Sequence, residues 1–346
     1  MSDPLLSFLL LYALGYLIGL QLEQLRPLLR CLTPSGAFAA VGIGYGPRIA
    51  GFRWRGVDWV VRLAPVSVHG PGYDLRTRSY VATVRGLAVA EVLAAAALAR
   101  WFADGSASGF PLASGVVTVA LYSLVRADLP GSLGHSLFRR RAVLAGPHLT
   151  TRAEVAADRA LADGDLDRTR AELAREDRPT ANGINTRAHL ALTEGAWAEA
   201  ERSADSGPPG GVHERITALT LRAVAVVGAT EAGELSFVES LPRLTAVLRE
   251  ATEVLPAAVR WAPPFADLAR WEGRTEEAVK LAEAVLRRLP FQPWRAEAEC
   301  SYAAALLAVG RRAEAVAALG RAKAWCPSMA RVAVLEQLVE RSEVRG

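Results

Sequence analysis

Lysine is nearly missing from this chain of 346 residues: only Lys280 and Lys323 occur among 40 basic residues, and the rest are arginine. That skew, beside the abundance of alanine, is the signature of GC-rich coding, so an arginine cluster carries little functional weight by itself. No basic stripe with interleaved aromatics runs through the sequence, and the net charge is only +4. The electrostatic footprint of a nucleic-acid binder is therefore lacking. Cysteine is scarce and odd in number. Cys31, Cys300 and Cys326 form no C-x-x-C pair, which argues against both a disulfide framework and a cysteine zinc site. Histidine occurs five times, with His189 and His213 isolated, and no glycine-rich phosphate loop opens a helix.

Charge is missing altogether from Pro4 to Leu22, a stretch long enough to cross a hydrocarbon core of about 30 Å at about 1.5 Å per residue. Neither a positive n-region nor a small-residue cleavage site accompanies it, so a retained membrane helix is expected rather than a signal peptide. Two shorter apolar segments follow, Leu87 to Phe102 and Pro111 to Val125. The loop between them has no basic residue. The stretch before them and the segment after them are rich in arginine, including Arg126 and Arg139 to Arg141. The positive-inside rule then places the N-terminus and the 103–110 loop outside and everything else in the cytoplasm, with Arg100 as the one residue that opposes this order. Between the first two apolar segments, Phe38 to Ile49 and Val57 to Leu63 read as strands joined by a turn over Gly51 to Gly56. Glu91 is a carboxylate within an apolar helix, a costly placement that calls for a partner or for water.

The order of these elements carries a resemblance. The apolar helix holds Tyr12-Ala-Leu-Gly-Tyr16. It is followed by Val41-Gly-Ile-Gly-Tyr-Gly-Pro-Arg48 and then by Val60-Val-Arg-Leu-Ala-Pro65. This resembles the opening of the site-2 protease (M50) family of intramembrane zinc proteases, in which an H-E-x-G-H helix runs into a "GIGFGP" strand and a strand closing on "RLxP". The resemblance implies a membrane scaffold, with Gly42, Gly44, Gly46, Pro47, Leu63 and Pro65 as its matching strand residues. It also marks what is lost. Tyr12 and Tyr16 stand where both zinc-binding histidines are expected, and Ala13 stands where the glutamate base is expected. A phenol with a pKa of about 10 is a poor zinc ligand, and alanine cannot take a proton from a bound water. Asp128 stands near the place of the family's later aspartate, and an improvised metal site would draw on Asp128, His135, His69 or Glu91. Ser67 to His69 stand where the family carries Gly-Gly-Tyr. No cofactor is expected, and zinc belongs only to the alternative of an active metalloprotease with unconventional ligands.

From Thr151 onward the composition turns to Ala, Leu, Glu and Arg with helical periodicity. A turn pattern recurs at Gly195 to Ala200, Gly273 to Ala278 and Gly310 to Ala315, with a weaker copy at Gly164. This resembles tetratricopeptide (TPR) repeats, in which Gly opens the turn between two helices and Ala lets them pack closely. The expected architecture is mainly α. Residues 1–150 form a membrane domain of about three transmembrane helices with a small β-hairpin, and residues 151–346 form a TPR-like α-solenoid. The expected function is that of a non-catalytic pseudoprotease in the membrane, docking a protein or peptide on a concave helical face, with the lipid bilayer as its other partner and no nucleic acid.

Overall fold

The computed structural model describes residues 4–33, 36–38, 40–54, 57–69, 72–75, 80–105, 109–125, 149–177, 179–206, 212–256, 262–287 and 292–343. They are mainly helical, with fourteen helices and a small antiparallel sheet among them. The chain divides into two compact units, Met1–Leu149 and Thr150–Gly346.

The first unit contains α1 (Pro4–Cys31), β1 (Gly36–Phe38), β2 (Ala40–Trp54), β3 (Val57–His69), β4 (Gly72–Leu75), α2 (Tyr80–Gly105) and α3 (Gly109–Val125). Two of its helices are long and apolar enough to cross a membrane, through Pro4–Leu22 and Val81–Ala103. The sequence predicted about three. At 17 residues α3 rises about 26 Å, short of a hydrocarbon core of about 30 Å. Helix α2 begins at Tyr80 rather than Leu87 because its buried face, Val84, Ala88 and Ala95, extends back along the helical period. The unit is built with large apolar residues outward and small ones inward. Leu5, Leu10 and Leu93 are 64%, 63% and 65% exposed, whereas Ala88, Ala113 and Val116 are buried. Water penalises such a surface and acyl chains do not.

The strands differ from expectation at both ends of the hairpin. β2 runs on through Gly51 to Trp54, so these four residues of the expected turn are strand, and residues 55 and 56 lie outside the described residues. Phe52 stands opposite Trp59 there, with the two rings stacked at 6.1 Å. Such cross-strand pairs favour continued strand over an early turn. β3 likewise continues past Leu63 to His69. Register shifts crowd between Ala40 and Ala50, the stretch that holds Gly42, Gly44, Gly46 and Pro47. Glycine and proline interrupt a ladder in this way. β1 pairs with β4, and β1, β3 and β4 lie against α1.

The second unit is helical throughout: α4 (Arg152–Ala162), α5 (Leu166–Leu173), α6 (Ala181–Glu194), α7 (Trp197–Asp205), α8 (Val212–Glu231), α9 (Phe237–Val254), α10 (Pro264–Trp271), α11 (Thr275–Leu286), α12 (Gln292–Ala308), α13 (Arg312–Trp325) and α14 (Ala330–Glu343). Side-chain caps fix several starts. Thr151 and Glu154 form a capping box on α4, Ser236 and Glu239 do so on α9, and Thr180 caps α6.

Four helix pairs share one turn. Gly164, Gly195, Gly273 and Gly310 have φ between +75° and +80°. The residue after each donates its N–H back to a carbonyl of the preceding helix, as Ala196 to Ala191, Arg274 to Ala269 and Arg311 to Leu306. This is the six-to-one closure that a left-handed glycine permits. Five residues beyond each glycine stands a fully buried small residue: Thr169, Ala200, Ala278 and Ala315. Gly233 has the same φ, but α9 starts later after it and Val238 is exposed. Substitution Gly273→Ala is expected to cost about 1–2 kcal/mol, the left-handed penalty for a β-carbon. Gly320, with no atom within 4 Å of its would-be β-carbon, lies within α13, and Gly320→Ala is expected to gain up to about 1 kcal/mol. Urea midpoints of the two variants check this pair, and equal shifts would contradict it.

The first helices of successive pairs stack as an inner layer in the order α4, α6, α8, α10, α12, α14, with α5, α7, α9, α11 and α13 paired outside them. In a one-dimensional repeat array each repeat touches only its neighbours. Here α12 also reaches α4, and α14 reaches α6 and α8. Aromatic and ionic contacts described next also cross the array, between α6 and α12 and between α8 and α14.

Candidate functional site

Two places bear on function: the motif helix of the first unit, and a buried ionic cluster in the second. On α1, Gly15 and Gly19 are buried while Ala13 and Tyr16 are exposed. Gly115 of α3 sits against Gly15, and Val116 and Val119 against Gly19. A β-carbon at Gly15 would lie 2.1 Å from the Leu112 carbonyl oxygen, and one at Gly115 would lie 2.4 Å from the Tyr12 carbonyl oxygen. The inner face of α1 is thus a close backbone crossing with α3, the packing that small residues allow in lipid. Tyr12 is half-buried, and its hydroxyl donates to Thr118 Oγ1 at 3.2 Å. These residues do not fit a zinc site: Ala13 and Tyr16 face outward, the Tyr12 phenol is engaged with α3, and no donor with a free lone pair of the usual kind replaces the histidines. Asp128 and His135 lie outside the described residues. Leu63 is exposed on β3 and Pro65 lies on the same strand. Among the described residues no group of three or more His, Cys, Asp or Glu is placed to hold a metal ion.

The second place was not visible in any motif. Arg331 on α14 is fully buried. Its Nε donates to Glu231 Oε2 at 2.8 Å, and Nη2 donates to Glu231 Oε1 at 3.1 Å and to Asp267 Oδ1 at 2.9 Å. Nη1 donates to Glu297 Oε1 at 2.6 Å and to Ser301 Oγ at 3.0 Å. All five guanidinium N–H groups are matched. Arg270 adds a second cation, donating to Glu231 at 2.7 Å and to Asp267 at 3.2 Å, and the Ser301 hydroxyl donates to Asp267 Oδ2 at 2.6 Å. Four inner helices, α8, α10, α12 and α14, meet at this point.

Fully ionised, the cluster holds three carboxylates against two guanidiniums. Burial would raise both shifted carboxyl pKa values, and contacts decide which one ends raised. Asp267, facing both arginines and the Ser301 hydroxyl, ends below the ordinary range. Glu297, touching Arg331 alone, ends above it. Burial also pushes the neighbouring Cys300 thiol far up, leaving it inert as a nucleophile.

Compared with protein-family models, curated proteins and solved structures, the chain matches none. The reading of both places therefore rests on their own chemistry.

The cluster draws its residues from four helices up to a hundred positions apart, so spacing gives no hint of it. One signal was present: Arg331 falls on the same face as Val332, Leu335 and Val339, all buried. A second cross-array contact stands beside it. His189 of α6 is buried and packs on Trp294 of α12 at 4.8 Å, and burial lowers its pKa to about 4. Between pH 6.5 and about 4 the unfolded chain takes a proton on this ring and the folded chain does not. The stability is intact above pH 6.5 and falls toward pH 4, by about 3 kcal/mol in full. His189→Gln is expected to flatten the pH dependence of the unfolding free energy in that window by about one proton. An unchanged slope would exclude this assignment.

Proposed function

We propose that this chain is a non-catalytic, membrane-anchored adaptor. In this reading the first unit is a degenerate site-2-protease-like scaffold whose α3 sits in the membrane with α1 and α2. The second is a TPR-like repeat unit on the cytoplasmic side that docks a protein or peptide. The observation that carries it is the use made of the motif helix: Gly15, on the face where α1 meets α3, serves packing, while Ala13 and Tyr16 are turned outward. A helix spent on backbone-to-backbone contact has no room between it and α3 for a metal and a hydrolytic water. The four alike glycine turns with their buried small residues support the repeat reading of the second unit, and the outward leucines of α1 and α2 support the anchor.

The test is metal content and activity together. Protein purified in detergent without chelator is expected to hold far less than one zinc per chain and to leave a membrane-spanning substrate uncut. Stoichiometric zinc with chelator-sensitive cleavage, lost in Asp128→Ala or His135→Ala, would establish the metalloprotease instead. Protease protection in sealed vesicles of known orientation reads the side on which residues 151–346 lie.

A further inference from the structure

Arg331 enters the second unit as a ligand enters a socket. Without it, Glu231, Asp267 and Glu297 face one another with Arg270 as the only counter-charge among the described residues and the Ser301 hydroxyl beside them. The formal charge of the pocket changes from −1 with the guanidinium to −2 without it. The match is specific to arginine: five donors are used in a planar fork, and a lysine ammonium has three on a single centre. Besides Arg331, α14 buries Val332, Leu335 and Val339, which join the core cluster built mainly by α12 and α13, whereas α12 buries unbroken runs from Ala296 through Ser301 and from Ala303 through Leu306. It covers α6 and α8, with Ala330 set against the Gly195 turn.

We propose that this socket is a binding site for an arginine-bearing helix, with α14 as its resident ligand. The partner it fits presents one arginine with apolar residues one, four and eight positions later, the pattern of Arg331, Val332, Leu335 and Val339. Charge complementarity selects the arginine, and the apolar positions pack on α12 and α13, where Val332, Leu335 and Val339 sit. The incoming helix takes the place of α14 on α6 and α8. This deepens the adaptor reading above and rests on it, since it names what the repeat unit recognises.

The test uses the full chain in detergent and a labelled peptide of residues 327–343. With Arg331→Ala in the chain, amide exchange in α14 is expected to rise by about 100-fold, with the α12 core remaining the slower of the two to exchange. The peptide should then bind saturably in trans, about tenfold or more tighter than its Arg331→Lys form. Where the altered chain fails to fold, the wild-type chain serves. Excess peptide is expected to speed exchange of the resident α14, and its Arg331→Ala form is not. Binding that ignores the arginine, or no acceleration at any peptide concentration, overturns the proposal. Such a failure would leave the adaptor reading standing, because that reading is decided by zinc content and cleavage.

Discussion

Arg331→Ala is expected to destabilise the helical unit by about 3–5 kcal/mol, the cost of removing one partner from a buried ionic network. The guanidinium is fully buried and spends every donor on Glu231, Asp267, Glu297 and Ser301. Taking it away leaves three carboxylates out of water around Arg270 alone. Relief comes only by taking up protons or by opening α14. The three carboxylates are not equivalent. For Asp267, whose pKa is held down in the fold, the stabilisation is present above the ordinary aspartate pKa and is lost as pH falls through the folded value. Asp267→Asn should therefore be costly at neutral pH. For Glu297 the sign reverses: its pKa is raised, so its contribution is favourable when protonated and is lost as pH rises through the folded value. Glu297→Gln keeps an acceptor for Arg331 and removes the surplus negative charge, so at neutral pH it should match or exceed the wild type. Hydrogen exchange at the α12 core amides orders the three variants. A Glu297→Gln chain as unstable as Arg331→Ala would show that the surplus charge is not the weak point of the cluster.

What the sequence disclosed and what it hid follow from the range of the interactions involved. Helix pairs and their turns are local. A glycine at φ near +80° followed by a buried small residue at a fixed offset can be read within six residues, as at Gly195 to Ala200. Pro4 to Leu22 is legible for the same reason, since apolarity over one helix needs no partner. The end of the expected hairpin turn was misplaced because Gly51 has the composition of a turn, while the pairing of Phe52 with Trp59 across the strands decides the matter. The Arg331 cluster lay out of reach but for one sign, an arginine on the apolar face of α14. Its members are ordinary charged residues in helices rich in charge, and only the return of α14 onto α8 brings Glu231 to Arg331. The motif helix was half-legible: the loss of the histidines is plain in the sequence, but the burial of Gly15 against α3, which gives the helix its use, depends on Gly115 a hundred residues away.

That crossing sets the other large effect. Gly15→Leu and Gly115→Leu are each expected to cost about 3 kcal/mol or more, at or beyond the upper range for overpacking. The atoms in the way belong to backbone and cannot rotate aside. A β-carbon at Gly15 would stand 2.1 Å from the Leu112 carbonyl oxygen, and one at Gly115 would stand 2.4 Å from both the Tyr12 oxygen and the Tyr16 nitrogen. The helices must separate to admit either side chain, and separation loses the Tyr12 to Thr118 hydrogen bond and the packing of Val116 and Val119 as well. Gly19 is the graded case, since the nearest atom to its would-be β-carbon is a side-chain carbon of Val119 at 2.9 Å. There the neighbour can yield in part, and Gly19→Ala should cost less than Gly15→Ala. Gly86 on α2 is the control: it is exposed with nothing within 4 Å, and Gly86→Leu should be neutral or stabilising through helix propensity. Thermal unfolding in detergent, with a disulfide trap between α1 and α3 to report their separation, gives the expected order of Gly86, Gly19, then Gly15 and Gly115. If Gly15→Leu melts with Gly86→Leu, the two helices do not cross at this point, and the packing role assigned to the motif helix is lost with it.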